Sequence, residues 1–152
     1  TPHGALDFAP NIKDAGCIVS PLYARAPAAG VVTRSDNSVV MLTLVDNNQQ
    51  PNGWEILFMH IAEQERVALG TRLDVNDPIG HPSCEGGSST GTHVHIARKY
   101  KGEWISTSGP LQFIMSGWTA LPGERIYTGT LVKNNLVVTA RQGGNADSLI
   151  SR

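Results

Sequence analysis

No apolar run in this sequence approaches the length needed to cross a bilayer. The longest, such as residues 39–45, is interrupted by Thr43, whereas a spanning helix needs about 20 consecutive apolar residues, so no transmembrane segment is expected. An excess of charge is missing too. Twelve Lys and Arg against 13 Asp and Glu leave a formal net charge of −1, with no sequence-wide positive field to gather nucleic acid or an anionic membrane. A helical stripe is also absent: the nearest candidate, residues 61–69, is rich in charge and runs into a turn at Gly70, so little helix is expected. No internal repeat occurs, and no His-Glu-x-x-His motif. The chain starts at Thr1-Pro2 with neither a methionine nor a charged-then-apolar leader, so a signal or pro-segment is expected to have been removed or left out.

Cysteine is scarce, with only Cys17 and Cys84. An even pair in a chain of extracellular character favours a disulfide closing a long loop. Two unpaired buried thiols are the plainer alternative. A third reading joins Cys17 to the ligand-like spacing of His81-Pro82-Ser83-Cys84, but three ligands without a fourth make a poor structural zinc site.

What is present suits one ordinary hydrophobic core: 152 residues, 40% of them hydrophobic. Residues 1–23 hold Pro2, Pro10, Gly16 and Pro21 without a period and read as loop. Short β-type runs follow at residues 28–34, 39–45, 54–60 and 92–99, separated by turn formers such as Ser35-Asp36-Asn37 and Asn47-Asn48. Residues 70–80 carry two glycines and a proline around short alternating apolar positions, as in the tight arches of small β folds. Residues 128–132 and 136–140 flank Lys133-Asn134-Asn135, which predicts a terminal hairpin, since asparagine tolerates positive φ. Residues 142–152 are rich in Gly, Asn, Asp and Ser and read as a flexible tail. The expected class is all-β: a compact antiparallel sheet or sandwich with a substrate groove and a C-terminal hairpin. Residues 1–118 are expected to form the main domain, and residues 119–152 an extension packed on it.

Three elements carry chemistry. In His93-Val94-His95, residues two apart on a strand project to one face roughly 7 Å from each other. In His3-Gly4-Ala5-Leu6-Asp7, an imidazole and a carboxylate sit in a Gly-containing loop able to wrap a metal. His60 closes a hydrophobic strand, where alternation places it on the same face as Phe58. Each alone is weak, since a single strand histidine is more often packed or solvated. Together they match a catalytic zinc, which takes three protein ligands and leaves one position open, with further groups nearby to move protons. Residues 85–91 form a Gly/Ser-rich approach to the histidine pair. Glu55, Glu63, Glu65 and Glu85 read as solvated or structural, and Trp104 and Trp118 as core in preference to a sugar platform.

The His3-x-x-x-Asp7 element, His60 after a hydrophobic strand, and the run Ser89-Thr90-Gly91-Thr92-His93-Val94-His95, in that order, resemble the lysostaphin-type (LytM and beta-lytic) metallopeptidase family over roughly residues 2–100. Two features depart from it: residues 11–23 make a long first loop, and Thr92 stands where proline is frequent. The resemblance implies one Zn2+ per chain held by His3, Asp7 and His95. It implies that His60 and His93 orient or deprotonate the attacking water and stabilise the oxyanion. It also implies a secreted or extracytoplasmic endopeptidase that cuts the cross-bridges or stem peptides of bacterial peptidoglycan. A non-catalytic cell-wall-binding or amidase-regulating module, and a zinc peptidase for another extracellular peptide, are the competing readings. No residue pattern encodes an oligomer, so a monomer is expected.

Overall fold

The computed structural model describes residues 4–13, 16–141 and 146–151. Thirteen strands carry the chain among these residues: β1 (Leu6–Phe8), β2 (Ala24–Arg25), β3 (Gly30–Asp36), β4 (Val39–Val45), β5 (Pro51–Met59), β6 (Arg72–Leu73), β7 (Pro78–Gly80), β8 (Val94–Tyr100), β9 (Glu103–Trp104), β10 (Ile114–Met115), β11 (Trp118–Pro122), β12 (Gly129–Lys133) and β13 (Leu136–Thr139). Helix among the described residues is confined to one 3-10 turn, Ala146–Ser148. The all-β expectation holds, and the four runs read as strands correspond to β3, β4, β5 and β8 with ends moved by a few residues. No helix among the described residues is long and apolar enough to span a membrane.

The main sheet runs β1-β8-β5-β4-β3-β6, with β9 paired to β8, all antiparallel. Its two faces bury different residues because successive side chains alternate. On one face Val32, Val40, Leu42, Phe58, Val94 and Ile96 join the main core, which also takes in Phe113 and Ala120 from beyond the sheet. On the other, Val39, Leu57 and Ala97 gather a smaller cluster with Ala5, Met41 and Met59. This second face carries the chemistry.

A second sheet, β10-β11-β12-β13, lies towards the C-terminus. Its hairpin joins Lys133 to Leu136 as a directly paired couple, with Asn134 at φ 54 in the turn as the Asn pair foretold. Leu131 and Met115 pack against the main core. Trp118 is buried and its indole N–H donates to the carbonyl of Ser151 at 2.8 Å, so the described end of the chain, expected to be a flexible tail, is bonded back to the sheet. Trp104 is not core: it is largely exposed, with the Lys99 ammonium 4.6 Å from its ring.

The long first loop is held in three ways. Cys17 and Cys84 form a disulfide, which also removes the thiol and metal readings of Cys84. Thr92 replaces a proline's rigidity with hydrogen bonds: its hydroxyl lies 3.0 Å from the Gly16 carbonyl and 2.6 Å from that of Ile18, and accepts the Ile18 N–H at 2.9 Å. Tyr23 donates to Glu65, which also accepts the Nε2–H of buried His81 at 2.9 Å. His81 is therefore committed to a carboxylate on the loop after β5.

Candidate metal and catalytic site

Register places the site. Asp7 pairs with His95 across β1 and β8, and His95 pairs in turn with Met59 of β5. Directly paired residues share a face, so Asp7 and His95 both project from the face of the smaller cluster. The Asp7 Oδ1 accepts the Nδ1–H of His95 at 2.7 Å. Two residues earlier, His93 turns Nε2 to 3.9 Å from the same carboxylate oxygen, and its ring lies 4.5 Å from that of His60.

His60 reaches this face by breaking alternation. Phe58 is buried in the main core on the opposite side, so the expectation that Phe58 and His60 share a face is wrong. The backbone of His60 has φ 62, a left-handed conformation that ends the strand and swings the ring towards His93.

Backbone carbonyls fix which nitrogen each ring presents. A carbonyl can only accept, so Nδ1 of His60, 2.8 Å from the Glu85 carbonyl, carries its proton. Nδ1 of His93, 2.8 Å from the Gly91 carbonyl, does the same. Both rings are left with Nε2 as a free lone pair when neutral. Burial holds the His60 imidazole below its ordinary pKa, the charges of His93 and His95 push the same way, and the Glu85 carbonyl and Asp7 oppose them. For Asp7, burial raises the carboxyl's pKa. The His95 hydrogen bond and the positive charges of His95, His93 and His60 outweigh it and hold the group ionised below its usual value.

His3 lies outside the described residues, and among those described no group of three His, Cys, Asp or Glu side chains is placed to hold a metal ion. The pair that is described fits one. Asp7 and His95 are a carboxylate and an imidazole in direct contact, both of them donor types that zinc accepts. The Gly4 end of the His3 loop is tightly walled: a Cβ on Gly4 would meet the Thr107 nitrogen at 2.6 Å.

The fold is similar to that of an M23 metalloprotease. The structure of pseudoalterin, described as a novel M23 metalloprotease from the deep sea, superposes with a TM-score of 0.73 over 92% of this chain and 81% of its own, at 21% identity. In sequence, 65 residues are 35% identical to Protease LasA of Pseudomonas aeruginosa strains UCBPP-PA14 and PAO1, covering 39% of this chain and 16% of the relative's length. No family model matches the chain. The resemblance read from the histidine and aspartate motifs is thus met by the fold and by a related stretch of sequence.

What sequence reasoning missed is the part played by residues 85–91. The carbonyls of Glu85 and Gly91 fix the two imidazoles, and no side-chain pattern announces a carbonyl.

Proposed function

We propose that the chain is a zinc metalloendopeptidase, exported from the cell, that hydrolyses peptide bonds in bacterial peptidoglycan. Residues 1–118 form its peptidase domain and residues 119–152 an extension sharing the core. The observation that carries the reading is the convergence of Asp7, His95, His93 and His60 on one sheet face, with Asp7 and His95 in direct contact and the His60 and His93 rings in tilted contact beside them. The disulfide supports an oxidising compartment.

His3, Asp7 and His95 would hold the zinc, which supplies Lewis acidity towards a peptide carbonyl and acidifies water. Asp7 arrives ionised and so brings negative charge to the cation without first losing a proton. His95 would meet the cation as a neutral imidazole. His60, kept neutral by burial, offers Nε2 as a general base for the attacking water. His93, when Nε2 also carries a proton, would donate from it to the developing oxyanion, and His60 would pass the proton taken from water to the leaving amine. No carboxylate base is needed.

The experiment is zinc stoichiometry on the purified chain, run alongside release of new amino groups from purified peptidoglycan before and after chelation. One zinc per chain with chelator-sensitive release is expected. A chain that binds no zinc would instead be a non-catalytic wall module, and zinc without release would redirect the search to another peptide substrate.

A further inference from the structure

We propose that Glu85 is a positioning residue whose carboxylate pins the start of the 85–91 loop, so that its own carbonyl locks His60 in the Nδ1–H tautomer. The Oε2 atom of Glu85 accepts the backbone N–H of Glu63 at 2.8 Å and the hydroxyl of Ser38 at 3.4 Å. These anchors lie just after β5 and in the β3–β4 turn, so the side chain ties the loop to the main sheet. The backbone closes a ring of bonds. The Glu85 N–H donates to the Ser83 hydroxyl at 3.0 Å, that hydroxyl donates to the His60 carbonyl at 3.0 Å, and His60 Nδ1–H donates back to the Glu85 carbonyl at 2.8 Å. Gly86 makes the approach possible: its φ is 75, and a Cβ there would sit 2.6 Å from the Ser38 Cβ and 2.8 Å from the Asn37 carbonyl.

The anchor matters because free histidine in water favours its proton on Nε2, the nitrogen a base must keep unprotonated. Holding the proton on Nδ1 takes an acceptor that cannot drift away. His93 supplies an internal control. Its Nδ1 is bonded to Gly91 at the far end of the loop, which Ser89 braces independently through a 2.7 Å bond to that carbonyl. Glu85 borders an open cavity of about 180 Å³, so truncating it admits water and leaves no sealed void.

The test is imidazole 15N NMR on the chain labelled at histidine, at a pH above the imidazole range, for wild type, Glu85→Ala and Glu85→Gln. Wild-type His60 should show a protonated Nδ1 and a bare Nε2. Glu85→Ala should move His60 towards the Nε2–H form while His93 stays unchanged, and Glu85→Gln, which keeps an acceptor oxygen, should stay close to wild type. A wild-type His60 protonated on Nε2, or loss of the Nδ1–H signature in Glu85→Ala at both histidines or at neither, would overturn the proposal. The catalytic consequence rests on the peptidase reading: kcat for amino-group release should fall roughly 10–100-fold, the range for outer-shell partners, with KM and zinc content unchanged. If the wild type releases nothing, that reading fails while the NMR result still decides the role of Glu85.

Discussion

Asp7 and His95 meet across the β1–β8 ladder with Oδ1 and Nδ1 2.7 Å apart, although 88 residues separate them in the chain. If both are metal ligands, Asp7→Ala removes a donor and frees the His95 ring. Zinc affinity should drop by more than the ~100-fold that an outer-shell loss can reach, measured by competition with a chromophoric chelator. The fold should persist, because Asp7 belongs to neither hydrophobic cluster.

His60 and His93 differ from that pair in having both Nδ1 atoms committed to carbonyls. His60→Ala and His93→Ala should each keep about one zinc per chain and lower turnover by 10²–10⁴-fold, the range for a positioned general acid or base. Equal zinc loss in these variants and in Asp7→Ala would refute the division of roles.

Arg98 is buried, with no carboxylate partner among the described residues. Its guanidinium donates to the carbonyls of Gln112 at 2.7 Å, Leu111 at 2.8 Å and Ser106 at 3.4 Å, and it lies 4.2 Å from the Phe113 ring. Arg98→Ala should cost about 3 kcal/mol in urea unfolding through the stranded carbonyls. Arg98→Lys should recover less than half of that, since an ammonium cannot fork to several acceptors.

The Tyr23, Glu65 and His81 cluster should give stability a pH signature. The bonds from Tyr23 and His81 depress the folded-state pKa of Glu65, so its contribution is present above the unfolded carboxyl value and lost as pH falls through the folded one. The bond to Glu65 raises the Tyr23 pKa, so that contribution is complete below the ordinary phenol value and disappears as pH rises through the folded one. The stability gap between wild type and Tyr23→Phe should therefore be widest near neutrality and close at both extremes, as read from thermal unfolding across pH. A constant gap would refute the linkage.

The Cys17–Cys84 bridge spans 67 positions, so reduction should cost about 4 kcal/mol on the loop-entropy account. Because Cys84 adjoins Glu85, reduction should also weaken the hold on His60. Unfolding with and without reductant measures the first effect, and the NMR signature of His60 the second.

The sequence by itself determined the class of fold and the short list of reactive groups. The β-type runs at residues 39–45 and 92–99 need only local sterics and a side to bury. The Asn pair at 134–135 sets its hairpin through its own φ preferences, and the ordered His3, Asp7, His60, His93 and His95 stand out because such groups are costly to arrange by chance. Tertiary structure alone decided which of these groups meet. Asp7 reaches His95 through the register of two strands far apart in the chain. His60 reaches His93 because a positive φ overrides the alternation that would have sent it to the core with Phe58. The tautomers depend on carbonyls of residues 85–91, and every residue carries a carbonyl, so a sequence does not mark the ones that matter. Side-chain pattern records what a residue can do, while register, backbone conformation and the loop's anchors determine what it faces.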